Sequence, residues 1–227
     1  GVNVELDAGS SVAVVGETGS GKTTFAMLLA RLADPTAGQV MLGGVDLRMV
    51  SADDRRRSVR MVPQDGFLFD TTVGANIRFG RSDSTEADVQ AAVDELGLGA
   101  WVAGLPAGLA TRVGERGSSL SVGERQLVAL LRAQLADPGL LILDEATSAV
   151  DPDTEQTLER ALEQLAEGRT TVSVAHRLST AERSDLVLVF DRGRIVENGS
   201  HAELAAAGGT YAALYESWLG NTRLMDA

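Results

Sequence analysis

The chain has 227 residues, 44% hydrophobic and 23% charged, with 32 acidic and 20 basic side chains and a net charge of -12. That length and composition suit a globular core of one large domain, or a core with a subdomain, and the acidic balance argues against a broad nucleic-acid surface. Cysteine is absent, which excludes disulfides, thiolate metal sites and cysteine nucleophiles, and no apolar run reaches the roughly 18 residues of a membrane span.

In chain order, Val2 to Leu6 alternates like a strand and Asp7-Ala8-Gly9 turns. Ser11 to Val15 is a β-branched run of the kind buried in a parallel sheet. A glycine loop follows, and TTFAMLLARLA reads as a helix ending before Asp34-Pro35. GQVMLGGVDL reads as a hairpin around Gly43-Gly44. SADDRRR has Ser51 as N-cap, an acidic first turn and an arginine-rich end, as a short helix prefers. Val59 to Val62 is a further strand. From about Asp65 to Pro138 the pattern changes to helices and loops, with Asp83 to Leu96 and Ser121 to Ala136 the clearest helices. Strands return at Leu140 to Asp144, Thr170 to Ala175 and Asp185 to Phe190. A helix starts after Asp151-Pro152, with proline at a favoured first-turn position. Alternation of strand and helix on both sides of the helical stretch predicts a parallel α/β core split by a helical insert.

The basic inventory is 19 arginines and one lysine, Lys22. That lysine lies in GETGSGKTT, Gly16 to Thr24, which matches the Walker A pattern placed between a strand and a helix. Glycines let the backbone curl around phosphates and turn N–H groups inward. The following helix adds its positive end. Gly16, Glu17, Thr18, Gly19, Ser20, Gly21, Lys22, Thr23 and Thr24 are the candidate nucleotide-binding residues. Lys22 can place a compact ammonium between β- and γ-phosphate oxygens, a point-charge position that a planar guanidinium does not fill. Thr23 can offer a hydroxyl to Mg²⁺. LLILDE, Leu140 to Glu145, is an apolar strand with two carboxylates at its carboxyl end, where α/β sheets place ligands. Asp144 is the candidate Mg²⁺ residue, and Glu145 the group that polarises the attacking water.

The stretch Ser118 to Gln126, SSLSVGERQ, precedes that strand by about twenty residues and resembles the signature motif of ABC transporters. Gln64 in VPQDGFLF resembles the Q-loop. TRVGERG, Thr111 to Gly117, resembles the X-loop of exporters. Ser148 to Asp151 resembles the D-loop, and His176 in VAHRLST the switch histidine. By these motifs, in the family's order over nearly the whole chain, the sequence is identified as resembling the nucleotide-binding domain of an ABC exporter. The resemblance implies a P-loop NTPase (RecA-like) α/β fold with a parallel sheet, a β-subdomain and an inserted α-helical subdomain. It divides the chain into 1–63, the first part of the ATP-binding core; 64–138, the helical subdomain with the Q-loop and signature; and 139–227, the rest of the core.

The resemblance further implies an ATPase that uses ATP and Mg²⁺. Its partners would be a second nucleotide-binding domain, identical or different, and a transmembrane domain, without nucleic acid. In this family two domains bind head to tail around two ATPs, so each Walker site is completed by the other domain's Ser121, Val122, Gly123, Glu124 and Asp151. Gln64 would reach Mg²⁺ and the attacking water, with Phe67 to Phe69 meeting a coupling helix of the membrane domain. His176 would contact the γ-phosphate. The expected location is the cytoplasmic face of a membrane, with this soluble segment cut from a longer chain that holds six or so membrane helices and an adenine-stacking aromatic upstream. An importer subunit, a DNA-repair type ABC ATPase and a non-hydrolysing dimerisation module are the alternatives. TRVGERG, the stretch Phe69 to Ile77 and the absence of a long regulatory domain favour the exporter. The acidic balance, the short insert and Glu145 disfavour the other two.

Two departures stand out. The common signature LSGGQ is LSVGE here. Val122 replaces a glycine and would cost flexibility if the position needs a positive φ. Glu124 replaces a glutamine and either adds charge where a γ-phosphate would sit or points away from it. Trp101 and Trp218 are read as packing residues, Arg55 to Arg57 as a solvated helix face, and His201 is given no role.

Overall fold

The computed structural model describes residues 1–63, 66–144, 152–175 and 178–225. Gln64, Glu145, Asp151, His176 and the D-loop stretch Ser148 to Asp151 lie outside the described residues. The chain divides into two compact units: Gly1–Ser51 with the described residues from Ile142 to Asp144 and Thr170 onward, and Ala52–Leu141 with the described residues up to Arg169. Residues 52–63 and 152–169 thus group with the helical stretch, so the units do not coincide with cuts at 63/64 and 138/139.

The first unit is built on β1 (Ser11–Val15), whose last four residues are buried. Continuous burial requires neighbours on both edges and cover on both faces. β1 runs parallel to β6 (Thr170–Val174), with Val12 opposite Val172. On its other edge it runs parallel to β7 (Leu186–Asp191), with Val12 opposite Leu186. β8 (Arg194–Gly199) pairs antiparallel with β7 and alternates between exposed and half-buried, as a one-sided outer strand should. Ser11 donates from its N–H (2.8 Å) and Oγ (2.7 Å) to the Asp185 carboxylate, tying the starts of β1 and β7. Those hydrogen bonds hold the Asp185 carboxyl below the usual carboxylate range.

α1 (Lys22–Leu29) follows β1. It stops short of the end expected before Asp34 because Arg31 adopts a left-handed backbone, φ 51°. Leu32 N–H then donates to Met27 O and Arg31 N–H to Leu28 O, a helix-closing pattern. The hairpin is present as β2 (Met41–Leu42) and β3 (Val45–Asp46), joined by Gly43 and Gly44, both at positive φ. Val2 to Leu6 forms no strand. Its alternation survives as half-burial of Val4 and Leu6, but no ladder partner meets it among the described residues.

At the end of the unit, α8 (Leu178–Arg183), α9 (His201–Ala206) and α10 (Thr210–Met225) cover one side of the sheet core. Tyr211 is fully buried with Val15, Val187 and Val189, and Trp218 packs against this cluster. His201, unassigned from sequence, places Nδ1 2.7 Å from the Tyr211 hydroxyl.

The second unit holds α2 (Ala52–Ser58), β4 (Val59–Val62), α3 (Val73–Arg78), α4 (Glu86–Glu95), α5 (Gly99–Gly104), α6 (Val122–Ala136), the start of β5 (Leu140–Asp144) and α7 (Pro152–Ala166). α6 is its centre: Leu127, Val128, Leu130 and Leu131 are all buried. α7 packs on it, its Leu158, Ala161 and Leu165 forming a buried stripe at helical spacing. α4 begins at Glu86 rather than Asp83, because Thr85 claims the N-cap and exchanges hydrogen bonds with Asp88. Pro152 opens α7 as the sequence led one to expect. The whole is a mixed α/β fold with a parallel sheet core.

Candidate nucleotide site

β1 delivers the chain to Gly16 at φ 145°. A Cβ here would lie 2.2 Å from Phe190 O and 2.8 Å from Ser20 Oγ, so the position admits only glycine. Gly19 and Gly21 also take positive φ, 82° and 108°. A Cβ on Gly21 would sit 3.2 Å from Gly193 Cα. The loop therefore leans on the turn between β7 and β8, where Gly193 N–H donates to Ser20 O at 2.7 Å. The Phe25 ring, one turn into α1, lies 5.1 Å from the Phe190 ring and fixes the helix against the same turn. Sequence reasoning missed this support. Its signal was available: Asp191-Arg192-Gly193 between two strand patterns is a hairpin turn.

Lys22 is 5% exposed. Its ammonium donates to Gly16 O (2.8 Å) and Glu17 O (2.9 Å), curling back over the loop it belongs to. Gly21 is the N-cap of α1 and no side chain caps the helix. Ser20 Oγ is buried without a hydrogen-bond partner. Glu17, Thr18, Gly19, Thr23 and Thr24 are exposed. A glycine cradle, an uncapped helix start, an orphaned buried hydroxyl and a masked ammonium are the features that suit a polyanion. Asp144, half-buried, ends β5. Among the described residues no three acidic or histidine side chains cluster as a metal cage. An exposed threonine hydroxyl and one carboxylate instead suit a hard cation that takes its other ligands from phosphates and water.

The signature stretch is organised differently. Ser121 is the N-cap of α6, its Oγ accepting from Glu124 N–H at 3.2 Å. Glu124 reaches back, its Oε2 accepting from Ser121 N–H at 2.8 Å, which closes a capping box. Glu124 Oε1 accepts from Trp101 Nε1 at 3.3 Å. The Glu124 carboxylate is thus turned onto its own helix start and onto α5. Trp101 is more than a packing residue. Val122 is the first residue of α6 and is not among the positive-φ positions, so its Cβ carries no backbone strain. Gly123 is buried.

The X-loop stretch is pinned beside this helix. Val113 N–H donates to Thr71 O and Val73 N–H to Thr111 O, both at 2.9 Å. Gly117 packs so closely that a Cβ would fall 2.7 Å from Arg125 Cδ. Near it, Phe67, Phe69 and Phe79 are each about half exposed and form a ring chain, with centroids 5.1 Å and 4.4 Å apart.

A family model described as "ABC transporter" matches residues 1–148. An ATM1-type heavy metal exporter of Novosphingobium aromaticivorans is 45% identical over 215 residues, 95% of this chain and 35% of that protein. A β-(1→2)glucan export ATP-binding/permease protein, NdvA, of Brucella melitensis is 46% identical over 225 residues, 99% of this chain and 37% of that protein. A solved structure of a bacterial Atm1-family ABC exporter with ATP bound superposes with a TM-score of 0.88 at 44% identity, covering 96% of this chain and 38% of that one. The chain thus spans little more than a third of the length of the relatives it matches. The chain belongs to the ABC transporter family.

Proposed function

We propose that this domain binds Mg-ATP and hydrolyses it to drive export through an attached transmembrane domain at the cytoplasmic face of a membrane. The observation that carries this reading is the glycine cradle at the uncapped start of α1, with the ammonium of Lys22 stored on the loop carbonyls. On nucleotide entry Lys22 exchanges those two carbonyls for β- and γ-phosphate oxygens, while the loop N–H groups and the helix start hold the rest of the chain of phosphates. Thr23, Asp144 and Gln64 would hold Mg²⁺, which would offset the charge of the phosphates. Glu145 polarises the attacking water, and Gln64 and His176 orient it against the γ-phosphate.

Two such domains, identical or different, meet head to tail. Each supplies Ser121, Val122, Gly123, Glu124 and Asp151 to the other's ATP. The capping box leaves this role open to Ser121: its oxygen accepts from Glu124 N–H, and its proton remains for a phosphate oxygen. Glu124 does not oppose the phosphate head-on, because both its oxygens are engaged on Ser121 and Trp101.

The test is Glu145→Gln in the full-length protein. Turnover should fall by about 10²- to 10⁴-fold, the usual contribution of a positioned general base, while ATP binding and an ATP-trapped dimer persist. Retained turnover removes Glu145 as the catalytic residue and with it this mechanism.

A further inference from the structure

The second unit holds a side-chain cluster that the nucleotide reading leaves unused. Arg132, nearly three turns along α6 from its start, donates three hydrogen bonds: Nε to Asn76 O (2.7 Å), Nη2 to Asn76 Oδ1 (2.6 Å) and Nη1 to Phe67 O (2.6 Å). Asn76 is fully buried. Its Oδ1 also accepts from Phe69 N–H (2.9 Å), and its Nδ2 donates to Phe69 O (2.9 Å) and Thr72 O (3.0 Å). One asparagine therefore clasps the backbone of the aromatic segment, and one arginine holds that asparagine to α6. The guanidinium also stands 6.0 Å from the centroid of the Phe79 ring. Burial pushes the Arg132 pKa down to about 10, which leaves it charged at neutral pH.

Two glycines fix the same segment to the same helix. A Cβ on Gly66 would lie 2.8 Å from Arg125 O, and one on Gly80 would lie 2.2 Å from Arg132 O. Arg125 and Arg132 are seven residues apart, so both contacts fall on one face of α6. The stretch from Gly66 to Gly80, carrying the exposed rings of Phe67, Phe69 and Phe79, is thus held at both ends by backbone contact and in the middle by the Arg132–Asn76 clasp. Lysine at 132 has no planar fork and can reach at most part of this acceptor set.

We infer that Arg132 and Asn76 are a positioning pair that locks the half-exposed aromatic face to α6, so that a push on Phe67, Phe69 and Phe79 displaces the helix whose first turn carries Ser121 and Gly123. This rests on the proposed role of that first turn in completing a second domain's ATP site. Neither residue touches nucleotide. Their effect passes through the helix, and its signature is a change in turnover without a change in ATP affinity.

The experiment compares Arg132→Lys, Asn76→Ser and the double variant in the full-length protein with Mg-ATP as probe. Each single variant should lower kcat by about tenfold or more with KM for ATP within about twofold, the pattern of a lost transition-state arrangement. The double variant should be no slower than the worse single, because the pair acts as a unit. Hydrogen exchange gives a second readout that mere loss of stability does not imitate. In the parent protein Mg-ATP should change protection in both the Ser121–Gln126 and the Phe67–Gly80 peptides. In the variants it should still change the first and no longer the second. Unchanged kcat, additive losses, or ATP responses that stay linked in both peptides overturn the proposal. If Arg132→Lys does not accumulate, Asn76→Ser carries the same comparison. Glu145→Gln separates the two readings: if its turnover is retained the ATPase mechanism fails, whereas its collapse beside a normal Arg132→Lys removes only the positioning pair.

Discussion

The starts of α1 and α6 are both helix N-termini preceded by small residues, and the fold treats them in opposite ways. α1 begins at a left-handed Gly21 with no side-chain cap, and its neighbouring cation is stored on backbone carbonyls of Gly16 and Glu17. α6 begins at Ser121 inside a closed capping box, with Glu124 folded onto it and held by Trp101. The first has no side-chain acceptor at its N-terminus, the arrangement that suits an anion. The second closes its own capping box and offers a partner what the box does not use, the hydroxyl proton of Ser121 among it. A phosphate site that must take up a whole triphosphate needs the former. A surface that must recognise one phosphate already held elsewhere is served by the latter, which stays folded between encounters.

If this contrast holds, the largest effects come from the open end. Lys22→Ala removes the stored charge, and ATP affinity should fall by about 10- to 100-fold, the worth of a hydrogen bond to a charged group, with little change in thermal stability. Lys22→Arg should not restore it. Because Lys22 is the only lysine, an amine-reactive ATP analogue should label one internal position, blocked by Mg-ATP; labelling that Mg-ATP leaves untouched breaks the account of the site. Gly16→Ala should destabilise the fold itself by about 2 to 3 kcal/mol. Its Cβ has no room beside Phe190 O, and the strain passes into the β7–β8 turn. Equal melting temperatures for Gly16→Ala and the parent chain would show that the loop does not lean on that turn.

The open end was legible in the sequence and its support was not. GETGSGKTT announces a phosphate loop by local spacing alone, and Ser11 to Val15 announces a buried strand by its unbroken apolar run. Phe190 and Gly193 reach the loop from 170 residues away in sequence, through strand pairing that no local pattern encodes. The same holds for Arg132 and Asn76, 56 residues apart. Val2 to Leu6 shows the converse failure: a strand pattern states what a segment can pair, not whether a partner exists. At the closed end the signal was present and misfiled. Ser121-x-x-Glu124 is a capping box in its own right, but compared with LSGGQ it looked like a defect in a motif. Read as a cap, the glutamate has a place, and the possible strain at Val122 disappears because the first turn of a helix asks for no positive φ.

Ser121→Ala is the sharper probe of the closed end. Loss of the N-cap should cost about 1 kcal/mol of stability, visible in urea as a lower midpoint with an unchanged slope. ATP affinity of the same chain's Walker loop should not move, since on the proposed reading the hydroxyl serves another domain's nucleotide. Turnover of the dimer should fall by much more than the stability loss explains. A Ser121→Ala protein that keeps full turnover would leave the hydroxyl a purely structural cap and erase the difference in function between the two helix starts.

The smallest expected effect tests what holds the glutamate. Trp101→Phe keeps a smaller aromatic ring and removes the indole N–H from which Glu124 Oε1 accepts at 3.3 Å. The bond is long and its site only half-buried, so the loss should be about 0.5 kcal/mol, at the low end for one hydrogen bond. The informative measurement is the cycle with Glu124→Ala. If the indole acts through the carboxylate, Trp101→Phe should cost about 0.5 kcal/mol less once Glu124 is gone, the coupling of one hydrogen bond. Additive losses would mean that the tryptophan stabilises α5 by packing alone, as first read from sequence. Glu124→Gln sharpens the point further. An amide has one oxygen, so it can accept from Ser121 N–H but turns its NH2 toward the indole, and stability should fall by about 0.5 kcal/mol, the loss expected for the Trp101 bond alone. A faster turnover in that variant would show the carboxylate's charge reaching the partner's phosphate despite the box. An unchanged rate would show that the capping geometry alone makes the replacement of glutamine by glutamate neutral for catalysis.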